Sequence, residues 1–442
     1  MRSRQARPRL LQAMLDAFSL PDLRQKLLIT FIILVIFRFV AHVPVTGVNV
    51  SALRQMFQQN ALMGMLDLFS GGGLRNFSVA AIGIYPYINA SIILQLLTPV
   101  IPALTRLADE GEAGRNRINI ITYWVTIPLA ALSGYGTLVL LQRGTTPVVG
   151  YTTIFQTVTI VISLIAGTMF ALWLGNLITD YGIGNGISML IAVNIISGYP
   201  ELVGQGILAG QQGQIFGIIF YVVVSLATIV AIIVFTEAYR AIPVQYAKSV
   251  FKGGRMYRQS GGTRIPLRVD TAGMIPVIFA SSMVLFPGVI ASYFANAAGE
   301  EPNLANYIVN IFSPNTALPL GLVYWVLLFL LTIGFSFFYT TVIMEQQDLP
   351  GTLQKQGGFI PGIRPGKHTS DYLNAVIYRI TWLGAFYLAI IAILPFLVKQ
   401  ATHIEFMQLS SMGLLILVGV ILDTMKLVES QLLMRRYEGF IK

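Results

Sequence analysis

GIYPYINAS, residues 83–91, and GMIPVIFAS, residues 273–281, are one phrase written twice. Gly83 aligns with Gly273, Pro86 with Pro276, Ile88 with Ile278, and Ala90-Ser91 with Ala280-Ser281, all at a single offset of 190 residues. Each copy opens a long apolar run. What the repeat means depends on how many times the chain crosses a membrane between the two copies.

That the chain crosses one at all follows from composition. Of its 442 residues 55% are hydrophobic and only 11% charged, and the mean hydropathy is +0.71. A soluble domain carries about 25% charged residues, so much of this surface must face lipid. Apolar runs of about 20 residues, each able to span about 30 Å of hydrocarbon, are expected near 27–43, 76–98, 119–141, 153–175, 183–203, 215–236, 272–295, 319–343, 375–397 and 408–425. The expected fold is an all-α polytopic membrane protein. A membrane β-barrel would alternate apolar and polar residues instead.

Lys and Arg set the orientation. Of 29 such residues, 24 lie on one side if both ends share that side; Arg54, Arg75, Arg143 and Lys399 lie on the other, and Arg38 is within the first run. The positive-inside rule therefore places both termini in the cytoplasm, which requires an even number of spans and agrees with ten. The net charge of +10 is mostly a property of cytoplasmic loops. Residues 1–26 form a basic, amphipathic cytoplasmic segment, read as a surface-lying helix rather than a cleaved leader.

The repeated phrase opens the second and seventh spans. Five spans separate the copies, an odd number, so they run in opposite directions through the bilayer. This is the pattern of an inverted repeat of two five-helix halves, here 27–203 and 204–425, around a central pore. Proline near a helix start interrupts regular backbone, which is tolerated at membrane depth only where it lines a protein-enclosed space. Both copies therefore belong at the seam. Polar side chains there are weak ones: Asn89, Ser91 and Gln95 beside Pro86, and Ser281 and Ser282 beside Pro276. Ordinary interhelical hydrogen bonding accounts for any one of them.

Residues 60–78, NALMGMLDLFSGGGLRNFS, are too short to cross. Their pattern fits a re-entrant piece or a surface loop equally. Two basic loops, 237–271 and 344–374, contain GGRMYRQSGGTRIPLRV and GGFIPGIRPGKHTS. They suit docking of a soluble partner, or orientation by charge alone. A phosphate loop at Gly366-Lys367 fails, because Pro361 and His368 stand where Gly and Ser/Thr are needed. Three function classes remain: a translocation channel, a secondary transporter and an intramembrane enzyme. A transporter keeps carboxylates at membrane depth, and the deep parts of these spans carry almost no charge. An enzyme needs a nucleophile or metal constellation; there are no cysteines and only three histidines. Catalytic residues, metal ligands, cofactors and a small-molecule substrate are all read as none.

LFSGGGLRNFS (68–78), GIYPYINASIILQLL (83–97), DEGEAGRNR (109–117), YGIGNGIS (181–188), AGMIPVIFASSMVLFP (272–287), GGFIPGIRPGKHT (357–369) and VESQLLMRRYEGF (428–440) together resemble the SecY/Sec61-alpha family of protein-conducting channels. The likeness covers nearly the whole chain in order. It implies ten spans in two halves, with the second and seventh spans forming a lateral gate that carries Pro86, Asn89, Ser91, Gln95, Pro276, Ser281 and Ser282. It implies a pore ring of Ile84, Ile88, Ile187, Ile191, Ile278 and Ile416. A plug is implied at 63–74, including Met63, Leu66, Leu68, Phe69, Ser70, Gly71 and Gly72. Docking of the SecA ATPase or of ribosomes is implied at Lys252, Arg255, Arg258, Arg364 and Lys367. The tip of the 237–271 loop departs from adjacent basic pairs, since Met256 follows Arg255. The resemblance further implies SecE and SecG partner subunits, unfolded preproteins with signal sequences as cargo, contact with membrane lipid, and a place in the plasma membrane of a bacterium. Residues 426–442 are expected to be a cytoplasmic tail.

Overall fold

The computed structural model describes residues 20–45, 53, 73–74, 76–142, 153–211, 215–252, 255–292, 294–296, 302–314, 316, 319–347, 349–364, 366–402 and 410–438. It is mostly helical. The helices are α1 (Pro21–Val40), α2 (Tyr85–Leu97), α3 (Pro102–Asp109), α4 (Glu112–Gln142), α5 (Ile154–Tyr181), α6 (Gly186–Gln211), α7 (Ile215–Glu237), α8 (Ile275–Ser292), α9 (Leu304–Ile311), α10 (Gly321–Gln347), α11 (Leu349–Lys355), α12 (Lys367–Thr402) and α13 (Ser410–Glu438). Among the described residues six helices are long and apolar enough to cross a membrane, or seven if α2 and α3, bent by 97°, are one span. A helix lies at each of the ten expected places, but length and hydropathy alone qualify only these.

The all-α expectation is corrected in the 237–271 loop. There β1 (Tyr239–Lys252) and β2 (Arg255–Arg268) form an antiparallel hairpin, and β3 (Gly358–Phe359) adds to the free edge of β1, giving the order β2-β1-β3. The cause is a period-2 pattern: Ile242 and Val244 are buried while Ala241 and Pro243 are exposed. Alternating side chains bury one face of a strand, not of a helix.

The second expected span is corrected too. Helix α2 begins only at Tyr85; residues 76–84 are successive turns, closed by Ala81 N–H to Ser78 C=O (2.8 Å) and Gly83 N–H to Ala80 C=O (2.9 Å). This irregular stretch is buried. Leu74, Phe77, Ala81 and Ile82 share a core with Val45, Leu53, Leu138, Leu141, Ile160 and Leu164. Helix α5 approaches so closely that a Cβ on Gly167 would sit 1.9 Å from the Val79 carbonyl oxygen. Non-helical backbone is thus enclosed by protein, as it must be at membrane depth.

The chain divides into two compact units. One comprises Met1–Ile215, Ser282–Tyr324 and Ile416–Lys442; the other comprises Phe216–Ser281 and Trp325–Leu415. In the first, the glycine-rich turn 182–186 joins α5 to α6. Gly184 has φ +81°. The Thr30 hydroxyl accepts from Ile183 N–H (3.2 Å), the Thr179 hydroxyl accepts from Gly186 N–H (2.9 Å), and the Asn185 amide oxygen accepts from Ser188 N–H (3.1 Å). The last two satisfy donors that the start of α6 leaves orphaned, and the first satisfies a buried donor of the turn itself. Ile183 packs with Leu23 of α1 and Val428 of α13. Helix α13 therefore continues through much of the expected tail, because Val428 and Leu432 have an apolar site to fill. In the second unit, α10 and α12 meet along aromatic pairs: Trp325 with Phe396 (5.4 Å), Phe329 with Phe386 (5.6 Å) and Phe337 with Trp382 (5.0 Å between centroids).

Candidate functional site

The two copies of the repeated phrase adopt one local structure. Gly83 has φ +58° and Gly273 φ +64°, a left-handed conformation that glycine enters without a Cβ penalty. Pro86 and Pro276 are each the second residue of the helix that follows, α2 and α8. A proline there removes an N–H that has no intrahelical partner and presets φ for the first turn. The prolines start these helices; the interruption expected of them lies just before, at the left-handed glycines. Pro86, Ile88 and Ala90 are buried, as are Pro276, Ile278 and Ala280.

Among the isoleucines singled out by the sequence, Ile84 and Ile416 are fully buried, and Ile88, Ile191 and Ile278 nearly so. Ile187 is half-buried; a Cβ on Gly175 would lie 3.1 Å from its Cγ1. Ile84 caps α2 and Ile88 stands four residues on within it, while Ile187 and Ile191 are one helical turn apart on α6. Ile278 belongs to the second unit and the other five to the first. Branched, non-ionisable side chains of this kind form hydrophobic constrictions that exclude water without binding ions.

The polar residues expected at the seam differ. The Gln95 amide donates to the Ser91 hydroxyl (3.0 Å), one turn earlier on α2. Ser281 donates to the Ile278 carbonyl (2.8 Å), and Asn89 is half-buried. The Ser282 hydroxyl is buried with no hydrogen-bond partner among the described residues. So is the Asn194 amide, which stands three residues beyond Ile191 on α6. Sequence reading passed over Asn194, and its spacing from Ile187 and Ile191 was the available signal. Met63, Leu66, Leu68, Phe69, Ser70, Gly71 and Gly72 lie outside the described residues.

The two basic loops form one folded piece. Ile242 and Val244 of β1, Leu267 of β2, Leu353 of α11, Ile360, and Leu373 and Val376 of α12 share a core. Pairing of Gln245 with Phe359 and Tyr246 with Gly358 stitches the loops together. Gly358 allows this, since a Cβ there would stand 2.9 Å from the Tyr246 ring. At the hairpin tip the register pairs Lys252 with Arg255, and Ser249 with Arg258. The register thus sets two basic positions opposite each other across the strands, where none are adjacent in sequence. Arg364 is exposed on the 360–366 turn, with Gly362 at φ +83° and Gly366 at φ +101°. The buried Thr369 hydroxyl donates to the Arg364 carbonyl (2.9 Å), fixing the backbone that presents the guanidinium. Lys367 is exposed at the first position of α12.

Comparison with known proteins shows the family and the fold. A family model described as SecY matches residues 78–425. A protein translocase subunit SecY from Streptomyces scabiei is 41% identical over 458 residues, covering 98% of this chain and all of the relative. One from Thermotoga maritima is 38% identical, covering 98% of each chain. Among solved structures, a protein-conducting channel superposes with a TM-score of 0.65 at 16% identity, covering 92% of each chain. Sec61 in a canine ribosome–channel complex from the endoplasmic reticulum gives 0.63, also at 16% identity and 92% of each. At that identity the likeness establishes the fold.

Proposed function

The chain belongs to the SecY family and has the role of a protein-translocation channel, and from that premise we propose that it is the central, non-enzymatic subunit of a bacterial translocase. It passes unfolded preproteins across the plasma membrane and releases signal and transmembrane segments sideways into lipid. Ten spans in two inverted halves, 27–203 and 204–425, surround the pore, and both termini are cytoplasmic. SecE and SecG are its small partner subunits. SecA or the translating ribosome docks on loops 237–271 and 344–374, through Lys252, Arg255, Arg258, Arg364 and Lys367, and supplies the driving force. No cofactor or small-molecule substrate takes part.

The observation that carries this reading is the repeated phrase. A left-handed glycine followed by a proline-started helix occurs at Gly83–Pro86 and again at Gly273–Pro276. Two helix starts of one design, on the second and seventh spans, suit the paired walls of a gate. Between them Ile84, Ile88, Ile187, Ile191, Ile278 and Ile416 form the constriction. A fixed polar filter cannot pass side chains of every kind and still hold back ions. A ring of branched apolar side chains yields to a chain and dewets when empty. A plug of residues 63–74 completes the seal. A signal helix parts the gate because its apolar face is more favourably placed in lipid than in the aqueous pore.

The gate assignment is tested at the buried Ser282 and the half-buried Asn89. Ser282→Leu and Asn89→Leu change the polarity of the seam, and each is expected to change export of a preprotein with a weakened signal by about tenfold, the scale of one buried hydrogen-bonding group. Export of a strong-signal preprotein stays within about twofold on the same energetic scale. The measurement is the ratio of the two export rates in cells. An unchanged ratio in both variants removes α2 and α8 from the gate.

A further inference from the structure

Between α8 and α10 stands α9 (Leu304–Ile311), an eight-residue helix to which the function proposed above gives no role. Its neighbours, Ile275–Ser292 and the helix that begins at Gly321, are both long and apolar enough to cross a membrane. As the linker of two crossings, α9 belongs at a bilayer surface. Its sequence is amphipathic. At 3.6 residues per turn, Leu304, Tyr307, Ile308 and Ile311 fall within one arc about 100° wide, and Asn306 falls on the far side.

Asparagines clamp α9 to the end of α8, within one compact unit. The Asn303 side-chain oxygen accepts from Asn306 N–H (3.0 Å) and the Asn306 oxygen from Asn303 N–H (3.2 Å), a reciprocal cap on the helix start. The same side chains reach back to the chain beyond α8. Asn303 Nδ2 donates to the Phe294 carbonyl (2.8 Å) and Asn306 Nδ2 to the Asn296 carbonyl (3.1 Å), while Asn306 Oδ1 also accepts from Asn296 N–H (2.9 Å). Just past the helix, Phe312 packs on α8, where a Cβ on Gly288 would lie 3.1 Å from the Phe312 Cβ. The polar side of α9 is thus held by the protein, and the direction in which the helix faces is set.

The apolar side is left uncovered. Leu304 is 83% exposed, Tyr307 55% and Ile308 40%. Leaving such side chains in water is unfavourable, and a helix linking two crossings has hydrocarbon beside it. Residues 293–320 contain no Lys or Arg, and their only charges are Glu300 and Glu301. Anionic headgroups therefore gain nothing from this segment. Attachment rests on apolar insertion, with the tyrosine hydroxyl kept at the polar boundary. We propose that α9 is an interfacial lipid anchor: Leu304, Tyr307 and Ile308 enter the boundary between headgroups and acyl chains, and the asparagine clamp turns that side of the helix to the bilayer.

The absence of native cysteine makes the test direct. Leu304→Cys, Ile308→Cys and Asn310→Cys are each labelled with an environment-sensitive fluorophore in the whole channel complex. The complex is held in nanodiscs of phosphatidylcholine, with or without phosphatidylcholine brominated on its acyl chains. Asn310 is exposed outside the apolar arc and serves as the control. Labels at 304 and 308 are expected to be quenched by the brominated lipid about threefold more than the label at 310, which dissolved iodide reaches instead, as the shallow insertion of an interfacial helix requires. Adding phosphatidylglycerol is expected to leave this pattern unchanged. Quenching that appears only with phosphatidylglycerol overturns the apolar attachment. Equal quenching at all three positions overturns the facing set by the clamp. Iodide quenching at 304 and 308 overturns the anchor in favour of a helix in water. Blue-shifted labels at 304 and 308 that neither quencher reaches overturn it in favour of a protein contact.

Discussion

Arg364→Glu is expected to reduce ATP-driven export into inverted membrane vesicles by about a hundredfold, equivalent to about 2.7 kcal/mol. Arg364 stands exposed on a turn shaped by two left-handed glycines and held by the Thr369 hydroxyl, so in the docking role proposed for it the backbone would need little further ordering. Preorganised arginines are common anchors of protein interfaces. Reversing the charge both removes the donor fork and sets an anion against a partner group chosen for a cation. Arg264→Glu makes the same charge change on the same folded piece, at an exposed position on β2. Its expected effect is within about threefold, the usual size for a surface charge. Thr369→Val leaves the guanidinium but frees its backbone, and falls between the two. Equal losses for Arg364→Glu and Arg264→Glu would mean that general charge, not this turn, drives docking.

The second large effect is structural. Gly186→Ala is expected to abolish accumulation of the folded chain. A Cβ at 186 would sit 1.8 Å from the Gly175 carbonyl oxygen and 2.8 Å from the Ile178 Cβ. All three positions belong to α5 and α6 or the turn between them, so no flexible side-chain tip can move aside. The helices must separate, at a cost of about 3 kcal/mol or more, a large fraction of any domain's stability. Gly198→Ala on the same helix meets nothing within 4 Å and is expected to accumulate normally, as alanine favours helix over glycine by about 1 kcal/mol. Pulse-chase labelling of both variants separates a steric cause from general intolerance of change in α6.

These two sites also mark what was legible beforehand. Spans could be read from apolar runs because lipid imposes one simple requirement, sustained hydrophobicity. The repeated helix start could be read because a glycine three residues before a proline leaves a local signature, twice. The turns at 76–84 could not be read, since AAIGI is apolar enough for a helix. What keeps it irregular is a contact from far along the chain, the close approach of α5 at Gly167. The hairpin was hidden differently. Ile242 and Val244 do alternate with exposed residues, but charge dominates the segment and reads as loop. Only the register shows that Lys252 and Arg255 pair. The continuation of α13 past 425 has the same kind of cause, since Val428 and Leu432 gain their site from Leu23 and Ile183.

The account centres on a preprotein passing the isoleucine constriction. The chain has no native cysteine, so a single cysteine introduced as Ile278→Cys reports on its own surroundings. A preprotein carrying one cysteine, stalled midway by a folded domain, is engaged with the complex in vesicles supplied with SecA and ATP, then oxidised. A disulfide to position 278 that requires both ATP and a signal sequence is the predicted result. No crosslink at 278, nor at Ile84→Cys or Ile187→Cys, while the same motor and preprotein engage a control channel, would contradict the path proposed here.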